Sequence, residues 1–541
     1  METSTSETQD RVACVGISIG AQFAAFGAFL GAALISRLPS FFLNEIGPDE
    51  SLYFLMAQQW RRGHLPYTTI WDNKPIGIYL IFSLFQDVFG ENIVSIRVAC
   101  ILFVALTAFA VFKIVLSIPA PDRVLRGNAA LIAGFTYILC SLSNDGLESN
   151  TEIFMVGFTA FSVLCGVSPG VLLPRAFLAG VLFGCAFMMK YVAIFEAPAL
   201  AFLFLYLRPP ASVRVAFLLS ACAVAGATLP LLLTVWLYAH DGQLHLWYNH
   251  SILANLRREN VQFQIGYLFV QRIGEWLPLW SCAALLFVAL VRHKTRVFSF
   301  RNEDGAARMN LFLTVWLICA FIGVTSAKGF YSHFYIQALP VLSVTTGWAV
   351  LTFLPGMPAW SLRKSAVAAV LFMLIPLFAA GATLVKAARP VLTINGHHVS
   401  LHRDTGLLIA QYVRDAPTLR PVKLYDFDYD IIVYSLARTS PPTQYVFPMF
   451  LTTCFLSFVS GVDAQTEETR ILALHPQFIL RSVPQAPALP PWQDNVYAEL
   501  ETTLAAQYVV ARTYDGAVLY ELRPDMMNAA LPPKRYPSSC P

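Results

Sequence analysis

Apolar runs of about bilayer-spanning length recur along this chain and constrain its fold more than any single motif. They lie at residues 12–36, 97–117, 128–143, 152–168, 176–190, 191–207, 214–238, 276–291, 309–325, 334–354 and 365–385. That makes roughly eleven spans, some of them shorter than the ~20 residues of a full crossing. The first is longer than the apolar core of a cleaved signal peptide and reads as an uncleaved first span. Of 541 residues, 56% are hydrophobic and only 13% charged, and a mean hydropathy of +0.58 excludes a soluble enzyme of this length. The net charge of +4 is small and comes without a basic stripe interleaved with aromatics, so it does not suggest a nucleic-acid partner.

The distribution of charge orients the spans. With the N-terminus in the cytoplasm, alternation puts Arg123, Arg126, Arg175, Arg208, Arg214, Arg363, Lys364 and the basic 292–308 loop on the cytoplasmic side. The opposite side receives Asp49, Glu50, Asp72, Glu91, Asp145, Glu148, Glu152, Asp241, Glu259 and Glu275, as the excess of Lys and Arg in cytoplasmic loops requires. Nucleotide sugars and ATP are scarce on that outer face, so a transfer reaction there needs a donor already attached to lipid.

Between the first two spans hangs a polar segment from Gly47 to Pro75 that holds Asp49, Glu50, Arg61, Arg62, His64, Asp72 and Lys74. Pro48 suits a first helical turn, and Tyr53, Phe54, Ala57 and Trp60 follow at helical spacing. Asp49 and Glu50 are thus expected at the positive end of a short helix, which favours their ionised form. The alternative is a capped helix with a solvated face. The apolar segment 76–90, with Gln86 and Asp87, is expected to lie in the membrane interface.

Beyond Lys386 the pattern shortens to strand length at Val422–Tyr425, Phe478–Leu480, Tyr508–Val510 and Ala517–Tyr520, with helical stretches at 404–414 and 494–507. The expectation is a membrane domain over residues 1–385 and a small soluble α/β domain over 386–541 on the outer side. The latter carries no phosphate loop, dinucleotide fingerprint or metal-spaced Cys or His cluster, so it reads as a lid or acceptor-binding domain. Of the ten cysteines, only Cys454 and Cys540 fall in that domain. In an oxidising compartment they are a candidate bridge, against the alternative that both stay free.

The order of the polar motifs resembles a known family. Pro48-Asp49-Glu50-x-x-Tyr53, Gly63-x-x-Pro66-Tyr67, Trp71-Asp72-x-Lys74-Pro75, Phe89-Gly90 and Arg97 are similar to the first outer loop of the GT-C glycosyltransferases, which use polyprenyl-phosphate sugars. Their aminoarabinose-transferase-like and protein O-mannosyltransferase-like families belong to this group. Asn150-Thr151-Glu152, Lys328-Gly-Phe-Tyr-Ser-His333 through Gln337 to Pro340, and Tyr434-Ser-Leu-Ala-Arg-x-x-Pro-Pro-x-x-Tyr445 extend the resemblance. It implies a polytopic α-helical membrane protein of GT-C architecture in a bacterial inner membrane, with its active face and C-terminal domain in the periplasm. The implied activity moves a sugar from a polyprenyl-phosphate donor to a hydroxyl of a glycolipid or glycan acceptor, such as lipid A or an envelope polysaccharide.

The resemblance also assigns roles. Asp49 is the expected base, since an acceptor hydroxyl loses its proton as it attacks the anomeric carbon. Lys74 is expected on the leaving phosphate, which gathers charge and needs cations in place beforehand. Arg257 and Arg258 are next for the phosphate, or else anchor lipid headgroups, followed by Lys328 and His333. The chain departs from its relatives in reading Lys74-Pro75-Ile76 rather than Lys-Pro-Pro, and in placing Asn73 before the lysine. A divalent metal is known in the superfamily. Glu50, Asp72, Glu148, Glu152 and His333 carry suitable donor atoms at spacings that diagnose nothing, and each also reads as a surface acid or core histidine. A lipid-linked-sugar flippase or other transporter, to which only Glu196 near Pro198 points, and a catalytically silent scaffold are the alternatives.

Overall fold

The computed structural model describes residues 18–44, 46–118, 122–143, 145–168, 172–207, 212–257, 270, 273–292, 305–326, 331–356, 374–387, 392–395, 398–401, 404–483 and 493–526. The chain forms two compact units. One comprises Met1–Leu38, Val98–Thr234 and Val261–Val385; the other comprises Pro39–Arg97, Val235–Asn260 and Lys386–Pro541. The polar loop between the first two spans is therefore part of the same unit as the C-terminal region.

Among the described residues, six helices are long and apolar enough to cross a membrane: Ile19–Phe42, Ile93–Leu116, Leu172–Met189, Val213–His240, Ala307–Ser326 and Ser332–Phe353. Shorter apolar helices occupy Gly77–Phe89, Thr151–Val167, Tyr191–Leu207, Leu277–Val291 and Leu374–Ala387. Between apolar helices, close packing replaces the hydrophobic effect, and small residues permit it. Gly180 and Gly184 on Leu172–Met189 show this: a Cβ at either would meet the carbonyl oxygens of Ala223 and Ala227, at 2.0 and 2.3 Å. The segment Tyr191–Leu207 is irregular, a 3-10 turn at Tyr191–Glu196 followed by a short α-helix at Ala197–Phe202 and a π turn at Leu203–Leu207. A second 3-10 turn, Ser332–Ala338, opens the helix Leu339–Phe353.

The C-terminal region is α/β, as its short apolar runs and amphipathic helices imply. A hairpin of β1 (Leu392–Asn395) and β2 (His398–Leu401) comes first. A four-stranded sheet follows in the order β3-β4-β6-β5, from β3 (Leu424–Asp426), β4 (Phe478–Ser482), β5 (Tyr508–Tyr514) and β6 (Ala517–Leu522). β3 runs parallel to β4, and the other pairs are antiparallel. Helices Ala464–Ala473 and Asp494–Gln507 bury Ile471, Leu472, Val496, Leu500 and Leu504 with Tyr425, Ile479 and Leu522 of the sheet. The candidate partner of Cys454, Cys540, lies outside the described residues.

This C-terminal region holds the first loop within their shared unit. The Trp71 N–H donates to the Gln444 carbonyl at 2.8 Å. Its indole packs edge-on against Phe450 in an apolar cluster with Ala254 and Val459. The Asn44 N–H donates to Asp404 at 2.9 Å.

Candidate active site

In the unit that contains the first loop, helix Pro48–Arg61 begins with proline, and Gly47 before it offers no side-chain cap. Asp49 and Glu50 stand in its first turn, at the positive end of the helix. The two acids are treated differently. Glu50 is fully buried and gripped by both terminal nitrogens of Arg97, which is itself buried. Asp49, on the next position round the helix, is only half-buried.

Lys74 lies in the same unit. Its Nζ is 3.6 Å from Asp72 Oδ1 and 5.6 Å from the centre of the Tyr53 ring, and its side chain is 20% exposed. Asp72 is held rigidly: Tyr79 donates to Oδ2 at 2.7 Å and the Asn73 N–H donates to Oδ1 at 2.7 Å. The lysine backbone is fixed as well, because the Tyr67 hydroxyl donates to the Lys74 carbonyl. Tyr67 sits at φ 72°, a left-handed conformation uncommon for an aromatic residue. Asn73, the departure from related sequences, exchanges hydrogen bonds with Asn255: its amide donates to Asn255 Oδ1 at 3.2 Å, and Asn255 donates to its carbonyl at 2.6 Å.

His250 packs on Trp71 and Tyr67 with ring centres 5.6 and 5.5 Å away. Burial lowers its pKa to about 4, against a hydrogen bond with Asp72 that raises it, so the imidazole is neutral near pH 7. Arg257 is exposed, with its guanidinium beside Gly461 at the C-terminal cap of helix Cys454–Ser460. Arg258 and Lys328 lie outside the described residues.

The other unit assembles a second group. Buried Arg37 donates through Nη2 to the Ser141 hydroxyl at 2.8 Å and to the carbonyls of Ser141 and Gly146 at 3.3 and 3.4 Å. Trp276 donates to Ser143 at 2.8 Å. These bonds fix the loop that leads to Glu148, which accepts from Asn150 at 2.8 Å, and to Glu152 in the first turn of Thr151–Val167. Glu152 is buried and ion-paired with Lys190, accepts from Thr151 at 2.9 Å, and lies 3.9 Å from His333 Nε2. The Lys190 ammonium sits 3.8 Å over the Phe334 ring, and the His333 ring stacks with Tyr331.

The structure thus joins Glu152 with His333 and Asp72 with Lys74. It commits Glu50 to Arg97 as a structural pair. Lys190 is the residue that sequence reasoning missed. Its signal was a single cation closing an apolar run, since an ionisable residue at such a place commonly serves a function. Among the described residues, no three His, Cys, Asp or Glu side chains come together as a metal site. Of the five candidate ligands, Glu50, Asp72 and Glu152 each face a basic side chain.

Residues 73–238 match the family model described as dolichyl-phosphate-mannose-protein mannosyltransferase. Among curated proteins, none matches the chain in sequence. The fold is similar to that of ArnT from Cupriavidus metallidurans bound to undecaprenyl phosphate, with a TM-score of 0.63 at 15% identity over 94% of this chain and 99% of that one. For the apo state of the same protein the TM-score is 0.61 at 16% identity, over 93% and 98% of the two chains.

Proposed function

We propose that this chain is a membrane glycosyltransferase of the GT-C superfamily, drawing its sugar from a polyprenyl-phosphate donor. The acceptor is a hydroxyl of a glycolipid or glycan of the cell envelope. Asp49 takes the proton of that hydroxyl as its oxygen attacks the anomeric carbon. The bond from that carbon to the phosphate oxygen breaks, the electron pair leaves with the polyprenyl phosphate, and Lys74 meets the charge that gathers there. His333, which faces Glu152, and the more exposed Arg257 are further candidates for the phosphate. The charge asymmetry of the loops favours an inner-membrane orientation with this chemistry on the periplasmic face.

The observation that carries this reading is the arrangement of Lys74. A partly exposed ammonium stands on a buried, doubly hydrogen-bonded carboxylate, in the same unit as a half-buried Asp49 at the positive end of a helix. The donor class is supported by the undecaprenyl phosphate bound to ArnT, whose fold is shared, and by the family match across residues 73–238. Glu196, the residue that pointed to a transporter, is buried with both carboxylate oxygens hydrogen-bonded inside the protein.

The test is glycan analysis of a strain lacking the protein, with donor and finished acceptor compared on both faces of the membrane. A glycosyltransferase leaves the lipid-linked donor intact on the outer face and the acceptor unmodified. Donor retained on the cytoplasmic face would instead mean a flippase, and an acceptor glycosylated as in the parent strain would mean a scaffold.

A further inference from the structure

Glu196 is a carboxylate enclosed by apolar helices, where an ionisable group is costly, and no step above uses it. Both of its oxygens are engaged. Trp316 Nε1 donates to Oε2 at 2.8 Å, and Gln337 Nε2 donates to Oε1 at 3.0 Å. The same Gln337 nitrogen lies 3.2 Å from the Val192 carbonyl. All these residues belong to one unit, and Glu196, Trp316 and Gln337 are at most 4% exposed.

Their placement in the chain gives the cluster a purpose. Glu196 ends the 3-10 turn Tyr191–Glu196, and the residue just before that turn is Lys190. Gln337 is the penultimate residue of the 3-10 turn Ser332–Ala338, whose second residue is His333. The two turns are therefore joined at both ends: Glu152 faces Lys190 and His333 at one end, and Glu196 grips Gln337 at the other. Helix Gly305–Ser326 supports the second junction from two positions on one face, seven residues apart. Trp316 donates to Glu196, and Gly323 leaves room for the glutamine, since a Cβ there would come within 2.3 Å of Gln337 Nε2.

We propose that Glu196 is a positioning residue for donor-phosphate recognition, locking the two 3-10 turns through Gln337 and Trp316 so that Lys190 and His333 stay gathered on Glu152. Glutamine at 196 would turn one of its two acceptors into a donor, which Gln337 could meet with its own oxygen only by giving up the Val192 carbonyl. The proposal rests on the reading of His333 as a phosphate-binding residue, and the experiment separates the two.

The full-length protein is reconstituted, and binding of undecaprenyl phosphate and sugar transfer are measured for Glu196→Gln, Gly323→Ala, His333→Ala and the two doubles with His333→Ala. Glu196→Gln and Gly323→Ala should each weaken undecaprenyl-phosphate binding by about tenfold, in line with one or two lost buried hydrogen bonds. Gly323→Ala reaches the same junction without touching Glu196, because its methyl displaces the amide end of Gln337. It carries the test should Glu196→Gln fail to fold. In the His333→Ala background neither change should weaken binding much further, since both act through the same turn. Fully additive losses, or single variants that bind and turn over as the parent does, would overturn the positioning role. If His333→Ala alone changes neither binding nor transfer, the phosphate reading of His333 falls, and the positioning role falls with it.

Discussion

Asp49 and Glu50 are adjacent acids on the first turn of one helix, and the fold makes two different chemical objects of them. Glu50 is buried in a fork of Arg97, with no face left for a ligand. Asp49 remains half-buried. The same division separates two ion pairs of this unit: Arg97 and Glu50 are sealed, whereas Lys74 keeps 20% of its side chain exposed above a sealed Asp72. A closed pair fixes the helix, and an open pair offers a charge. Composition alone cannot tell them apart.

The largest expected effect tests the acids separately. Asp49→Asn keeps the shape and removes the base, so transfer should fall by about 10²- to 10⁴-fold while undecaprenyl-phosphate binding is retained. Near-parental turnover in this variant would remove Asp49 from that role. Arg97→Met should act on folding instead. It leaves Glu50 buried without its cation, a loss on the order of 3–5 kcal/mol, read as a lowered unfolding midpoint and poor recovery from membranes. Adding Glu50→Gln should restore much of that stability. If the single variant is as stable as the parent, Glu50 and Arg97 are not the structural pair of this helix.

Lys74 sharpens the contrast from the open side. Lys74→Ala should weaken undecaprenyl-phosphate binding and slow transfer together, each by about tenfold or more, because its charge acts on bound and departing phosphate alike. Lys74→Arg should recover part of the loss, since a planar fork does not replace a compact ammonium over Tyr53. Unchanged binding and transfer in Lys74→Ala would place the phosphate elsewhere.

Much of the architecture was legible because it is periodic. Apolar runs near bilayer length became apolar helices, Pro48 opened its helix, and the four strand-length runs after Lys386 became the four-stranded sheet. The β1–β2 hairpin, at Leu392–Asn395 and His398–Leu401, was missed although Asn395-Gly396 between two short alternating runs is a turn signal in the sequence. The polar loop was legible because it concentrates charge between apolar neighbours. The pairings were not. Lys190 meets Glu152 across 38 residues, and Glu196 meets Trp316 and Gln337 across 120 and 141. Such contacts are set by which helix faces pack together, which hydropathy does not encode. Arg97 was visible as a motif residue, but its grip on Glu50 was not.

The smallest expected effect comes from a third acid beside the closed pair. Asp430 is buried, and its Oδ1 accepts from the Ile432 N–H at 2.9 Å. Burial pushes its pKa up to about 7, the charges of Glu50 and Asp404 add to the rise, and hydrogen bonds from Ile432 and Ser51 oppose it. A carboxyl raised above its unfolded value holds a proton in the folded state that the unfolded chain has already released. Its contribution to stability is therefore full below about pH 4 and is lost as pH climbs from there through about 7, at about 1.4 kcal/mol for every tenfold difference in proton affinity. Asp430→Asn keeps an oxygen for Ile432 and carries no proton to lose. The variant should match the parent near pH 4 and exceed it near pH 8 by on the order of 1–3 kcal/mol, seen as a flatter dependence of the unfolding midpoint on pH. Parallel pH curves for the two proteins would show that Asp430 is already ionised in the folded state, held in that form by the Ser51 hydroxyl and the Ile432 N–H against the charge of Glu50.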